Sequence, residues 1–213
     1  MITKTFKNIF ILIVITNSVI SYSNDKFKID GTILHYNTNL ASQEIDQEIT
    51  FEDVEKFKEV LEKNPNLEVV HLTSWGGMVD ASVEIADLII DYELDTHVQE
   101  ICFSACPLIF LGGDKRTLNR GSKIGFHRGY WTSEDMKYYY EDKETQEYYG
   151  WENPYDFSSW VYESTQEEIY KQFKYYLERG VEPSFVIETM RARPDDGWYP
   201  RRKELLKANF LTE

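Results

Sequence analysis

Apolar positions along the chain follow two alternating rhythms. In "ITFEDVEKFKEVLEKNPN", Phe51, Val54, Phe57, Val60 and Leu61 recur at the spacing of one helix face. Thr50 and Asp53 stand at capping-box spacing ahead of that helix, and Asn-Pro-Asn stops it. "LEVVHLTS" is a short apolar run of strand length that ends at Trp75-Gly76-Gly77. "MVDASVEIADLIIDYE" then returns to the helical period through Val79, Val83, Ala86 and Ile90. "DTHVQEI" predicts another strand, "CPLIFLGG" a short buried helix and "KIGFH" a further strand. Upstream, "KIDGTILHYNT" has the β-branched and aromatic content to start a sheet.

This alternation, with near-continuous apolar strands, predicts an α/β layer of helices on a mostly parallel sheet. The pattern then changes. The stretch from Asp135 to Gly180 is dense in Tyr and Glu; its second half predicts an amphipathic helix, its first half an ordered insertion or a mobile surface loop. "PDDGWYPRRKELLKANFLTE" predicts a turn, a short helix from about Pro200 and a last strand. No internal repeat is present.

The N-terminus has a different logic. Lys4 and Lys7 precede an apolar run from Ile9 to Ile15 and then small residues, the order of a secretory signal peptide, with cleavage after Ser21 or Ser23. An uncleaved anchor is the alternative. The reading is therefore a signal over residues 1–23 and a single domain over 24–213, exported to the periplasm or secreted. A net charge of −14 and a pI near 4.8 argue against attraction to nucleic acid or an anionic membrane.

Four places carry candidate chemistry. Ser104, in "CFSAC", reads as a helix N-cap or as a nucleophile. Gly76-Gly77, between a strand and a helix, reads as a tight turn or as a loop whose N–H groups face a ligand. His127 stands at a strand end, where it could serve as a base, whereas His35, His71 and His97 read as structural or exposed. Asp195 and Asp196 sit in a turn, and either could orient an imidazole.

The run "LTSWGGMVDASVEIADLI … CFSACPLIFLGG … IGFHRG" resembles the Clp-protease proteolytic subunit and the crotonase-like superfamily. It looks most like the secreted, periplasmic-type relatives, in which "SPGG", "SAC" and "GFHR" appear in that order. The resemblance runs from about Thr50 to Phe210. It implies a crotonase/Clp-protease-like spiral of ββα units, with the Tyr-rich residues of about 130–176 inserted as the helical handle used for subunit contacts. It also implies a serine peptidase with a homo-oligomeric assembly and a peptide or protein substrate, needing no cofactor or metal. Carried over by position, Ser104 matches the nucleophile, His127 the base and Asp196 the acid, with Asp195 its neighbouring competitor. Gly77 and the N–H of Ala105 match the oxyanion donors, with Gly76 beside them. Trp75 stands where the family has proline, and the segment from His127 to Asp196 is longer than in the Clp subunit. No Gly-x-x-x-x-Gly-Lys motif occurs, so any ATP dependence would have to come from a partner, and no ATPase partner is evident for an exported protein.

Within that resemblance, Cys102 and Cys106 flank the nucleophile. Export would let them pair as a disulfide that clamps the elbow, the alternative being two buried thiols packed as hydrophobes. Two rival functions share the fold. One is a non-catalytic periplasmic assembly or binding module using the aromatic, acidic surface. The other is an acyl-thioester enzyme of the crotonase branch.

Overall fold

The computed structural model describes residues 26–42 and 47–213; the proposed signal segment lies outside them. A six-stranded sheet has the order β1 (Phe27–Asp30), β2 (Ile33–Asn37), β3 (Val69–Ser74), β4 (Asp95–Phe103), β5 (Arg116–Leu118), with β6 (Lys123–Gly125) paired to the far half of β4. All pairings are parallel except the β1–β2 hairpin, which turns at Gly31. The sequence predicts that a sheet starts in that region without dividing it into strands. The structure makes two, because Gly31 at φ +61 allows a reversal that a β-branched residue would resist. It also adds β5, which is too short to leave an apolar signature.

Register places Leu34, Val70 and Tyr36, Leu72, Val98 in cross-strand rows, all fully buried. Against that face pack α1 (Phe51–Lys63), α2 (Val79–Asp91) and α3 (Cys106–Leu111). The predicted cap of α1 forms: the Thr50 N–H donates to Asp53 Oδ2 at 3.0 Å. Asp53 also accepts from Lys26 Nζ and from the Tyr36 hydroxyl, both at 2.8 Å, in a site with the carboxylate wholly buried. One side chain thus starts a helix and ties it to β2 and to Lys26, just before β1.

The Tyr-rich region is ordered helix rather than loop: α4 (Ser133–Glu141), α5 (Lys143–Tyr149) and the 25-residue α6 (Pro154–Glu178). Its first part builds its own small core from Trp151, Phe157 and Val161, with Met136, Tyr139, Tyr140 and Trp160 around them. The end of α6 rejoins the main core through Tyr176. There Arg179 donates to the carbonyls of Leu111 (2.8 Å) and Gly112 (3.1 Å), satisfying the C-terminus of α3.

Helices α7 (Pro183–Glu188) and α8 (Arg202–Lys207) complete the chain. The predicted final strand does not form. The Thr212 N–H donates to the Arg116 carbonyl at 3.1 Å, so the tail touches the β5 edge through a contact too short for a ladder. Among the described residues, no helix is long and apolar enough to cross a membrane.

Candidate active site

Ser104 occupies the junction between β4 and α3 with φ +61, a conformation uncommon for a residue with a side chain. It is not the N-cap of α3: Ala105 holds that position, and no side chain caps the helix. The capping explanation for this serine is therefore overturned. Its N–H donates to the Gly125 carbonyl at 3.2 Å, continuing the β4–β6 ladder by one bond beyond Phe103 and Gly125. That extension sets His127 beside the serine, and His127 Nε2 lies 2.6 Å from Ser104 Oγ.

The other ring nitrogen fixes the tautomer. His127 Nδ1 lies 2.8 Å from the Arg128 carbonyl oxygen, which can only accept, so Nδ1 carries the proton. In the neutral ring Nε2 is then the acceptor for the Ser104 hydroxyl. An aromatic shelf lies beside the imidazole. The Phe103 ring lies 5.1 Å from it, Tyr199 stacks on Phe103 at 5.5 Å, and Trp75 meets Phe103 edge-on at 5.9 Å. Sequence reasoning missed Phe103 and Tyr199 as site residues, since neither bears chemistry that a motif would single out.

Asp195 and Asp196 are both exposed, in the turn from Arg193 to Gly197. Neither is hydrogen-bonded to His127. That turn nevertheless runs alongside the histidine: Trp198 pairs in both directions with Phe126, and the Arg128 N–H donates to the Ala192 carbonyl at 3.1 Å.

The two loop glycines differ. The Gly76 N–H donates to Ser74 Oγ at 3.1 Å, and Ser74 is held in turn by the Thr38 hydroxyl at 3.0 Å. Gly76 is thereby occupied as a donor. Gly77 at φ +146 lies against the Ile49 backbone, where a Cβ would come within 2.3 Å of Ile49 N. Ile49 N–H donates to the Gly76 carbonyl and its own carbonyl accepts from Met78 N–H, an arrangement that skips the Gly77 N–H. Among the described residues, the N–H groups of Gly77 and Ala105 have no acceptor. Cys102 and Cys106 are joined by a disulfide, with Cα atoms 5.2 Å apart, closing the chain around Ser104.

No protein-family model matches the chain, and no curated protein sequence does either. Among solved structures, the fold is similar to that of a ClpP1 mutant from Listeria monocytogenes. The TM-score is 0.52 and the identity 18%, over 78% of this chain and 85% of that one. The protein therefore has a ClpP-like mixed α/β fold.

Proposed function

We propose that the protein is an exported serine hydrolase that cleaves peptide bonds. The observation that carries this reading is the 2.6 Å contact between Ser104 Oγ and the unprotonated Nε2 of His127, at a serine with φ +61. Ser104 attacks the carbonyl carbon while His127 Nε2 takes its proton. The resulting oxyanion accepts from the N–H groups of Gly77 and Ala105. His127 returns the proton to the leaving amine, and the acyl-enzyme is hydrolysed by water that the same nitrogen activates. Asp196 is the orienting acid: on substrate binding it replaces the Arg128 carbonyl at Nδ1, stabilising the imidazolium as it forms.

The segment over residues 1–23 acts as the export signal, and the Cys102–Cys106 disulfide suits an oxidising compartment. The functional unit is a homo-oligomer joined through the Tyr-rich helices, where Tyr138, Tyr148 and Tyr155 are more than three-quarters exposed.

Labelling with a fluorophosphonate probe, followed by peptide mapping, tests the reading. Modification at Ser104, lost in both Ser104→Ala and His127→Ala, is the expected result. A folded protein that is never labelled would select the second reading, a binding or assembly module. The exposed positions of Asp195 and Asp196 favour that alternative.

A further inference from the structure

A cleft of about 1020 Å³ lies against the elements that carry the Ser104–His127 pair. Leu108, one turn past Ser104, lines it, as do Val79, two residues past Gly77, and Trp131, four past His127. The opposite wall is α6 with the aromatic cluster of α4 and α5. Tyr139 stacks on Trp160 at 5.7 Å, Tyr149 meets Trp160 at 4.8 Å, and Trp131 meets Tyr139 at 5.4 Å, so these rings are held by one another.

The charge of the cleft is one-sided. Asp80 and Glu84 enter from α2, and Glu163, Glu167 and Glu168 from α6. Lys171 is the one cation lining the cleft among the described residues, and it already pairs with Glu167 at 3.5 Å. Asp80, Glu84, Glu163 and Glu168 have no ion-pair partner among the described residues. Partial burial, and Asp80 across the cleft, hold the Glu168 carboxyl above its ordinary range. Carboxylates that share one cleft with aromatic faces, two of them close enough to repel, make a site that a cation relieves. An aliphatic stem lies along the rings while the charged head meets both the ring faces and the acids.

We infer that this cleft receives a lysine or arginine side chain from the peptide presented to Ser104, so that the protein selects basic residues near the bond it cleaves. The cleavage half rests on the hydrolase reading above; the binding half does not. A neutral apolar side chain would fill the aromatic wall but leave the carboxylates repelling one another, and an acidic one would add to the repulsion.

Anisotropy of short fluorescent peptides titrated with full-length Ser104→Ala protein separates the two halves. The peptides differ at one position: lysine, arginine, norleucine or glutamate. Lysine and arginine peptides are expected to bind about tenfold tighter than norleucine, the factor that about 1.4 kcal/mol supplies. The gap should close in about 1 M salt, where charges are screened within about 3 Å. Adding Glu163→Gln and Glu168→Gln, both at exposed positions, should bring lysine down to the norleucine level without changing the melting temperature. Equal affinity for lysine and norleucine, or a gap that survives the two glutamine substitutions, overturns the inference. If the basic preference holds while wild-type protein resists the fluorophosphonate, the cleft stands and the hydrolase reading falls.

Discussion

Gly76 lies so close to Ser104 that a Cβ on the glycine would stand 2.5 Å from the serine Cβ and 3.0 Å from its Oγ. The glycine loop and the Ser104 turn are thus one packed unit, and the absence of a side chain at Gly76 leaves room for the hydroxyl beside His127. Gly76→Ala should displace Ser104, cost about 1–3 kcal/mol through overpacking and backbone strain, and abolish labelling of the serine. Gly129, which has open space around it and no positive φ, provides the control. Gly129→Ala should stay within about 0.5 kcal/mol of the parent. Thermal melts of both variants, run with the labelling assay, check the pair.

The two turn aspartates should separate in kinetics. If Asp196 takes over Nδ1 of His127 during turnover, Asp196→Asn should lower kcat by up to about 10⁴-fold, the loss seen when a triad acid becomes an amide. Asp195→Asn should leave it almost unchanged. Neither substitution should shift the melting temperature, because both side chains are exposed. A peptide-hydrolysis assay on the two variants decides it. Equal, small effects would leave the Arg128 carbonyl as the orienting group.

Reducing the Cys102–Cys106 bond should harm activity more than stability. The loop it closes has a sequence separation of four, so its loop-entropy contribution lies at the low end of the usual range, about 2 kcal/mol or less. On the hydrolase reading its local effect should be larger, because the bond closes the turn that carries the Ala105 N–H. Losing one oxyanion donor lowers turnover by about 10²- to 10³-fold. Intact mass after alkylation establishes the bond, and assays with and without reductant measure the consequence.

A row of histidines should make stability fall in mild acid. His35, His71 and His97 stand opposite one another on β2, β3 and β4, with ring centroids 5.0 and 4.7 Å apart. His71 Nδ1 is buried with no hydrogen-bond partner among the described residues, so a proton there has nothing to donate to. Burial first, then the neighbouring His97 and His35, lower the His71 pKa to about 4, and burial lowers His97 as well. His35 and His97 are themselves bonded to Gln99 and Thr117, while Arg202 adds positive charge near His97. The unfolded chain protonates His71 and His97 near pH 6.5 and the folded chain resists it, so their contribution is full above about 6.5. It should decline as pH falls toward about 4, by about 1–2 kcal/mol for His71 after allowing for solvent screening. Urea titrations across that window should show the slope, and His71→Thr should flatten it.

Helical period marked α1 and α2, because each buries one face of contacts made within a few residues, and continuous apolar runs marked β3 and α3, the latter buried at all six of its residues. Thr50 and Asp53 could be paired by spacing for the same reason. The order of Gly76-Gly77, Ser104 and His127 was likewise legible, since each stands at the end of a strand, where the chain leaves the sheet. The remaining features belong to the tertiary structure. The Gly76 N–H is spent on Ser74 Oγ, leaving Gly77 and Ala105 as donors, and His127 Nδ1 meets the Arg128 carbonyl while Asp196 stays in solvent. The Phe103 shelf and the acidic cleft are assembled from segments far apart in the chain. A local pattern says which face of an element is buried. Which of several competing acceptors wins a given N–H, and which distant side chains share a cavity, depends on how those faces pack, and is settled only when the sheet and helices come together.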